Sequence, residues 1–560
     1  MDRSPRLLVV SDFTADNLAA ALRGRSPAWT VTTAPFGQTH QTLLDFSAPV
    51  WAGAPEYLVL WTRPEAAFPS FRGVTGGRTP PRPALEAEVD EFLAAVARAA
   101  ERVRAVFVPL WVSTGATRGW GPIDAFHDHG VSATLDFLND ALRRLARRTK
   151  NIFPLDAERW LRAAGGDRAY SPRGWYLGKI PFVPDVFKRA ADDVAEAVRT
   201  LEVGPRKWLI VDLDDTLWGG ALGEVGRDKI LLGGHDPAGE AFADVQRELA
   251  ALKARGVLLA IASKNDEAVV RDAFDRHPDM VLRWTDFAAA RINWDDKAKN
   301  IADLAAELRL GLNAAVFIDD HPAERDRVRN ALPEVLVPDW PADPALAPQA
   351  LRALAAFDAV AVSEEDRRRT ALYAEEKARA AAAPGGSRDA WLKSLGATVW
   401  VNRLNDADLT RAAQLLNKTN QMNLATRRLT EGELRAWAAP AHRRFFTFRV
   451  ADKFGDAGLV GLGSVEVEQG KARVTDFVLS CRVLGRGVER TVLSVLAAEA
   501  KALGAATVTA TLVPTERNRP CAEFWERESG FEKSPDGAYV LDLARAYPAP
   551  DHLTVARASA

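Results

Sequence analysis

Trp208-Leu209-Ile210-Val211 runs straight into Asp212-Leu213-Asp214-Asp215-Thr216-Leu217. Four consecutive large apolar residues read as a strand buried on both faces, the pattern of a parallel sheet. In an open parallel sheet, ligands bind beyond the carboxyl ends of the strands. Asp212 and Asp214 lie there, and an i, i+2 spacing carries both carboxylates off the strand on one side. One carboxylate can attack phosphorus as a covalent nucleophile. The other can protonate the leaving oxygen and then activate water. The bland alternative is that the pair merely caps the strand. Thr216 and the turn backbone are placed to hold phosphate oxygens.

Three more elements follow at predicted strand ends, in order. Ser263, after Val257–Ala262, offers a hydroxyl to a phosphate oxygen. Lys297 opens a helix with Ile301, Leu304 and Leu308 on one face, and offers a positive charge to a phosphoaspartate. Asp319-Asp320, after Ala314–Ile318, offers hard oxygen ligands. A dianionic phosphate entering so many carboxylates is repelled without a cation, so the electrostatics call for Mg2+. Asp212, Asp214, Asp319 and Asp320 are the expected ligands. Phe242, Val245, Leu249 and Leu252 share a helical face that ends near Gly256. Neither interval between these elements is long enough for a separate cap domain, so an open site is expected.

Working outward, 560 residues suggest three or four domains. Lys and Arg total 73 against 75 Asp and Glu, a net charge of −2. That balance argues against nucleic acid or a membrane surface as partner. No apolar run is long enough to span a bilayer, and the N-terminus lacks a signal-peptide pattern. Two cysteines, Cys481 and Cys521, exclude a disulfide framework and fit a reduced, cytoplasmic setting. Residues 1–204 alternate strand and helix, with strands expected at Leu7–Val10, Tyr57–Trp61 and Val103–Val108. Residues 205–350 form the second α/β domain and 351–390 a helical linker. Residues 391–545 form an α+β domain, and 546–560 read as a frayed tail. The overall fold class is α/β.

The order DxDxT, Ser, Lys and paired Asp resembles the haloacid dehalogenase superfamily. More closely, Asp212–Gly220, Ile292–Ile301, Phe317–Arg325 and Asp476–Glu489 resemble the FkbH-like family across essentially the whole chain. That resemblance implies a Mg2+-dependent transferase and phosphatase. Its expected task is to load a three-carbon glyceryl unit from 1,3-bisphosphoglycerate onto an acyl carrier protein, for polyketide-type biosynthesis. Three positions depart from the family pattern: Asp215 replaces Asn, Asp296 replaces Pro and His321 replaces Asn. The alternative reading is a stand-alone phosphatase acting on a small phosphorylated metabolite, with a C-terminal domain that only binds.

Arg482-Val483-Leu484-Gly485-Arg486-Gly487 fits an R-x-x-G-x-G loop between a strand and a helix. Glycines let backbone N–H groups approach phosphate at a helix N-terminus. The loop resembles the pyrophosphate loop of GCN5-related acetyltransferases, and Asn518 with Phe524 and Phe531 matches the later part of that fold. Arg482, Gly485, Arg486, Gly487 and Asn518 are thus expected to meet a phosphopantetheine arm. Cys481 lies where the pantetheine thiol arrives in that fold, which makes it the candidate acyl carrier, its thiolate favoured by Arg482 and the helix N-terminus. A buried structural cysteine is the alternative, and Cys521 is read as structural. Residues 1–204 weakly resemble an SGNH-hydrolase domain, with Ser11-Asp12 after the first strand. No histidine lies between Lys150 and Gly204 to serve as base, so a non-catalytic scaffold is expected. His127-Asp128-His129 reads as a polar loop or a metal site.

Overall fold

The computed structural model describes residues 4–113, 117–234, 236–359, 368–381, 387–419, 421–515 and 518–557. These fall into two compact units, Met1–Arg206 with Ala353–Ala361 and Lys207–Arg352 with Val362–Ala560.

The first unit is built on a five-stranded parallel sheet: β1 (Arg6–Ser11), β2 (Thr30–Thr33), β3 (Tyr57–Trp61), β4 (Ala105–Pro109) and β5 (Ile152–Leu155), in the order β2-β1-β3-β4-β5. β1, β3 and β4 are almost wholly buried, because helices such as Arg82–Ala100 and Pro184–Val203 bury their apolar stripes on the two faces. Alternate residues along β1 serve opposite cores: Leu8 and Val10 face one, Leu7 and Val9 the other.

The second unit holds two sheets. The smaller is parallel: β6 (Trp208–Val211), β7 (Leu258–Ser263), β8 (Phe287–Ile292) and β9 (Ala315–Ile318), in the order β8-β7-β6-β9. Register runs Val211 to Ile261 on one side and Val211 to Ile318 on the other, so β6 and β9 end level while β7 runs two residues further, to Ser263. The expected core helix is present as Pro237–Ala254, N-capped by Asp236. Among the described residues, β6 and β7 are joined by short helical turns and that helix, and β7 and β8 by Glu267–Arg276; no further domain is inserted at either place.

The larger sheet has nine strands. Those added here are β10 (Thr398–Arg403), β11 (Met422–Asn423), β12 (Arg443–Asp452), β13 (Gly455–Glu468), β14 (Lys471–Leu479), β15 (Thr507–Ala510), β16 (Glu532–Lys533), β17 (Tyr539–Asp542) and β18 (Thr554–Arg557). The order is β16-β17-β15-β14-β13-β12-β10-β18, with β11 on β14. β14 and β15 pair in parallel only from Lys471/Thr507 to Val474/Ala510. Beyond Val474 that side of β14 is taken by β11, Asn423 opposite Val478 and Met422 opposite Leu479, so β14 and β15 have parted before the glycine loop begins. The fold class is therefore mixed α/β, with two parallel-sheet domains followed by an α+β domain.

One boundary expectation is corrected. The chain beyond 545 does not simply fray: Thr554–Arg557 pairs in parallel with β10, Thr398 to Thr554 through Val401 to Arg557. Four residues among prolines and alanines carry too little periodicity to announce a strand. An open sheet edge supplies the missing hydrogen bonds. Among the described residues, no helix is long and apolar enough to cross a membrane.

Candidate active site

Asp212, Ser263, Lys297, Asp319 and Asp320 converge where β6, β7, β8 and β9 end. Asp212 leaves β6 with its N–H donating to Ile318 O at 3.1 Å, which ties it to the adjacent strand. Lys297 is buried and its Nζ bridges Asp212 Oδ2 at 3.0 Å and Asp319 Oδ2 at 2.6 Å. Burial opposes the Lys297 charge, but the Asp212 and Asp319 carboxylates prevail and raise its pKa. Burial, then the Asp212 charge, pushes Asp319 upward against the pull of Lys297. Asp320 rises for the same first two reasons.

Carboxylate oxygens of Asp212, Asp319 and Asp320 all lie within 4.8 Å of one another. Asp212 Oδ1 and Ser263 Oγ are buried and without hydrogen-bond partners. Buried polar atoms of this kind need a partner. Three hard oxygen donors and an orphaned carboxylate oxygen fit a magnesium ion. Ser263 Oγ is free for a phosphate oxygen.

The backbone around these groups is held by residues that carry no obvious chemistry. Arg325 is buried, and its Nη1 donates to Asp319 O at 2.7 Å and Asp320 O at 2.6 Å. Thr216, expected at a phosphate oxygen, is instead fully buried against the same loop. Its Oγ1 accepts from Asp320 N–H at 3.1 Å and donates to Asp320 Oδ1 at 3.2 Å. Asp215 sits at φ 52°, a left-handed conformation that Asp and Asn tolerate best. Its Oδ1 accepts from Gly220 N–H at 2.7 Å. Asp296 caps the helix Lys297–Leu308 through Lys299 N–H and pairs with Arg327 at 2.7 Å, so its charge is committed. His321 precedes the helix Pro322–Ala331, its N–H donating to Asp319 Oδ1 at 2.8 Å.

Asp214, expected among the metal ligands, stands outside the carboxylate cluster. β6 ends at Val211, so strand alternation no longer sets where residue 214 points. Its Oδ1 accepts from Trp218 Nε1 at 2.9 Å and from Leu222 N–H at 3.1 Å, and its Oδ2 from Asn265 Nδ2 at 3.1 Å. Burial raises its pKa, against these donors. Sequence reasoning missed Trp218 and Asn265; both lie within a few residues of a motif position. Trp294, two residues after β8, is 77% exposed.

The glycine loop follows β14 as a tight turn, Cys481–Val483, and leads into the helix Val488–Ala502. Gly485 and Gly487 have φ of 75° and 83°, which explains why glycine stands at both. Arg482 donates from Nε to Ser480 Oγ at 3.2 Å. The side chain of Cys481 lies outside the described residues. Other expected phosphopantetheine contacts are engaged within the protein. Gly485 N–H donates to Glu489 Oε1 at 2.5 Å, and His552 Nε2 meets Arg486 O at 2.8 Å beside Gly487. Arg486 is buried, pairing with Glu376 Oε2 at 2.6 Å and Asp452 Oδ2 at 3.3 Å. Arg379 joins the same group, 2.7 Å from Asp452 and 2.9 Å from Glu376. Glu376 and Arg379 belong to the helix Arg369–Ala381, which also anchors to the smaller sheet: Arg369 donates to Gly256 O at 2.6 Å and Tyr373 packs on its core. Asn518 donates to Asn423 O at 3.1 Å and Val513 O at 2.9 Å, knitting β11 to the loop after β15. Cys521 is fully buried, and burial pushes its thiol up to about 12.

In the first unit, Asp12 accepts from Arg63 N–H and Nε, both at 2.7 Å, and Ser11 Oγ accepts from Phe13 N–H at 3.1 Å. His127 stacks on Trp120 at 4.5 Å, and its Nδ1 accepts from His129 N–H at 3.1 Å. Among the described residues, these histidines join no three-residue metal-binding group.

No protein-family model matches the chain, and no curated protein matches it. Among solved structures, one similar protein is the N-terminal part of a Bacteroides fragilis protein containing a phosphatase domain, complexed with Mg. It is 24% identical with a TM-score of 0.58, over 64% of this chain and 95% of that one. This likeness is one of fold. A ribosomal-protein-S18-alanine N-acetyltransferase from Escherichia coli overlaps 26% of this chain and 91% of its own, at 16% identity and a TM-score of 0.20. A spermidine N-acetyltransferase variant from Vibrio cholerae overlaps 27% and 97%, at 17% and 0.22. Scores this low carry no functional weight.

Proposed function

We propose that the chain is a Mg2+-dependent phosphatase whose nucleophile is Asp212, coupled to transfer of an acyl group. The convergence of Asp212, Ser263, Lys297, Asp319 and Asp320 beyond the same ends of four parallel strands supports the phosphatase half. In the first step an Asp212 oxygen bonds to phosphorus as the bond to the leaving oxygen breaks. Asp214 gives that oxygen a proton. Ser263 and Lys297 hold the phosphoryl oxygens, and Lys297 meets the charge of the phosphoaspartate. Water then attacks phosphorus, Asp214 takes its proton, and phosphate leaves with Asp212 restored. Asp212, Asp319 and Asp320 would hold the magnesium ion, which neutralises the anionic phosphate when bound.

For the acyl half, the FkbH-like resemblance supplies the reading. The Cys481 thiolate forms a carbon–sulfur bond with the acyl carbon of 1,3-bisphosphoglycerate as its carbon–oxygen bond to phosphate breaks. The phosphopantetheine thiolate of an acyl carrier protein then displaces Cys481. Intact-mass analysis after incubation with 1,3-bisphosphoglycerate tests this. A glyceryl adduct is expected on the enzyme, absent in Cys481→Ala, and moving to the carrier when one is added. The remaining 3-phosphate is removed at Asp212, so Asp212→Asn is expected to leave a 3-phosphoglyceryl adduct while the acyl phosphate is still released. One observation favours the stand-alone phosphatase instead: Glu489 already occupies the Gly485 N–H that an incoming phosphate would use. Phosphate release with no adduct, indifferent to Cys481, decides for that reading.

A further inference from the structure

We propose that Trp218 and Asn265 are positioning residues for Asp214, aiming its carboxylate at the leaving oxygen. This rests on the phosphatase reading above. The nucleophile must approach phosphorus opposite the departing oxygen. The proton donor therefore has to lie apart from Asp212, although only Leu213 separates the two in sequence. Asp214 sits on a turn, beyond the strand pleat that would otherwise set its direction. Lys297, 3.0 Å from Asp212, is an attraction that would draw a loose carboxylate into the metal cluster.

Three N–H groups hold it out. The Trp218 and Leu222 donors both take Oδ1, which leaves Oδ2, with its single Asn265 partner, as the oxygen able to face substrate. The two side chains are themselves fixed. Trp218 is fully buried and packs edge-on against Phe274 at 5.7 Å, so the indole N–H cannot swing. Asn265 is buried, and its Oδ1 accepts from Asp266 N–H at 3.0 Å. One orienting group comes from the segment after β6 and the other from the segment after β7, so the frame depends on the sheet register and not on one loop. Neither side chain reaches the carboxylate cluster, and both act through Asp214.

The test compares leaving groups in the full chain with Mg2+. An alkyl ester such as glycerol 3-phosphate needs a proton as it departs, whereas p-nitrophenolate needs little. Trp218→Phe keeps an aromatic ring and removes the N–H; Asn265→Leu keeps the branched shape and removes the amide. For each, kcat on the alkyl ester is expected to fall on the order of 100-fold, with KM within about twofold. The loss on p-nitrophenyl phosphate is expected to be about tenfold smaller, since proton donation contributes less there. In an Asp214→Ala background neither substitution should cost anything further on the alkyl ester, because the group they orient is gone. Calorimetric Mg2+ affinity should stay within about twofold of the parent for both variants. Equal losses on the two esters, or a further loss in the Asp214→Ala background, overturn the proposal. A parent inactive on both esters refutes the phosphatase reading itself.

Discussion

Replacing Lys297 with methionine removes a buried cation from between two buried carboxylates while keeping most of its volume. At 3.0 and 2.6 Å, and an effective dielectric of about 20, each contact is worth roughly 5–6 kcal/mol of Coulomb attraction. Desolvation of three charges offsets most of that, and removing one partner of a buried pair leaves a net cost of about 3–5 kcal/mol. Global unfolding of a chain with two compact units is not one transition, so local opening is the better readout. Hydrogen exchange of peptides spanning β6 and β9, with EDTA present, should accelerate by about two to nearly four orders of magnitude. Added Mg2+ should restore part of the protection, because a cation again meets the carboxylates. Lys299→Met is the control: its pair with Asp295 at 2.8 Å is exposed, so exchange should change by about 1 kcal/mol or less. If Lys297→Met exchanges in EDTA as slowly as the parent, Lys297 is not what holds the carboxylates together.

Ser263→Ala should lower phosphate turnover on the order of 100-fold. Hydrogen exchange around β7 should stay within about 1 kcal/mol of the parent, since the hydroxyl has no partner to lose. Arg379→Met leaves Asp452, whose side chain is 2% exposed, with Arg486 as its remaining cation. Hydrogen exchange of peptides spanning β12 should accelerate by about two orders of magnitude or more, and Arg379→Met with Asp452→Leu should recover a good part. Cys521, with its thiol pushed up to about 12, should resist iodoacetamide at pH 8 in the native protein and react after denaturation, read by peptide mass spectrometry.

The parallel strands around Asp212 were legible because burial on both faces leaves an uninterrupted apolar run, and Asp212, Ser263 and Asp319 sit where such a run stops. Lys297, five residues past β8, is marked instead by the apolar face of the helix it opens. The direction of Asp214 could not, since it depends on an indole four residues later and an amide on another strand's loop. Thr216 was read toward phosphate because hydroxyls commonly face it. Its true partner, Asp320, is 104 residues away. The commitment of Arg486 to Glu376 spans 110 residues, and an R-x-x-G-x-G pattern says nothing about which donors the protein uses itself. β18 escaped notice because an edge strand is specified by the edge it joins.

The helix Arg369–Ala381 has a consequence for how this chain can be divided or recombined. Its first turns hold the sheet that carries Asp212, and its later turns supply Glu376 to Arg486 and Arg379 to Asp452. A break before the helix would deprive one fragment of Tyr373 and Arg369. A break after it would strand Arg486 and Asp452 in the other, with a buried charge group missing two members. Either cut leaves one half with a defect in its interior, so exchange between related chains should succeed where the helix travels with both of its neighbours.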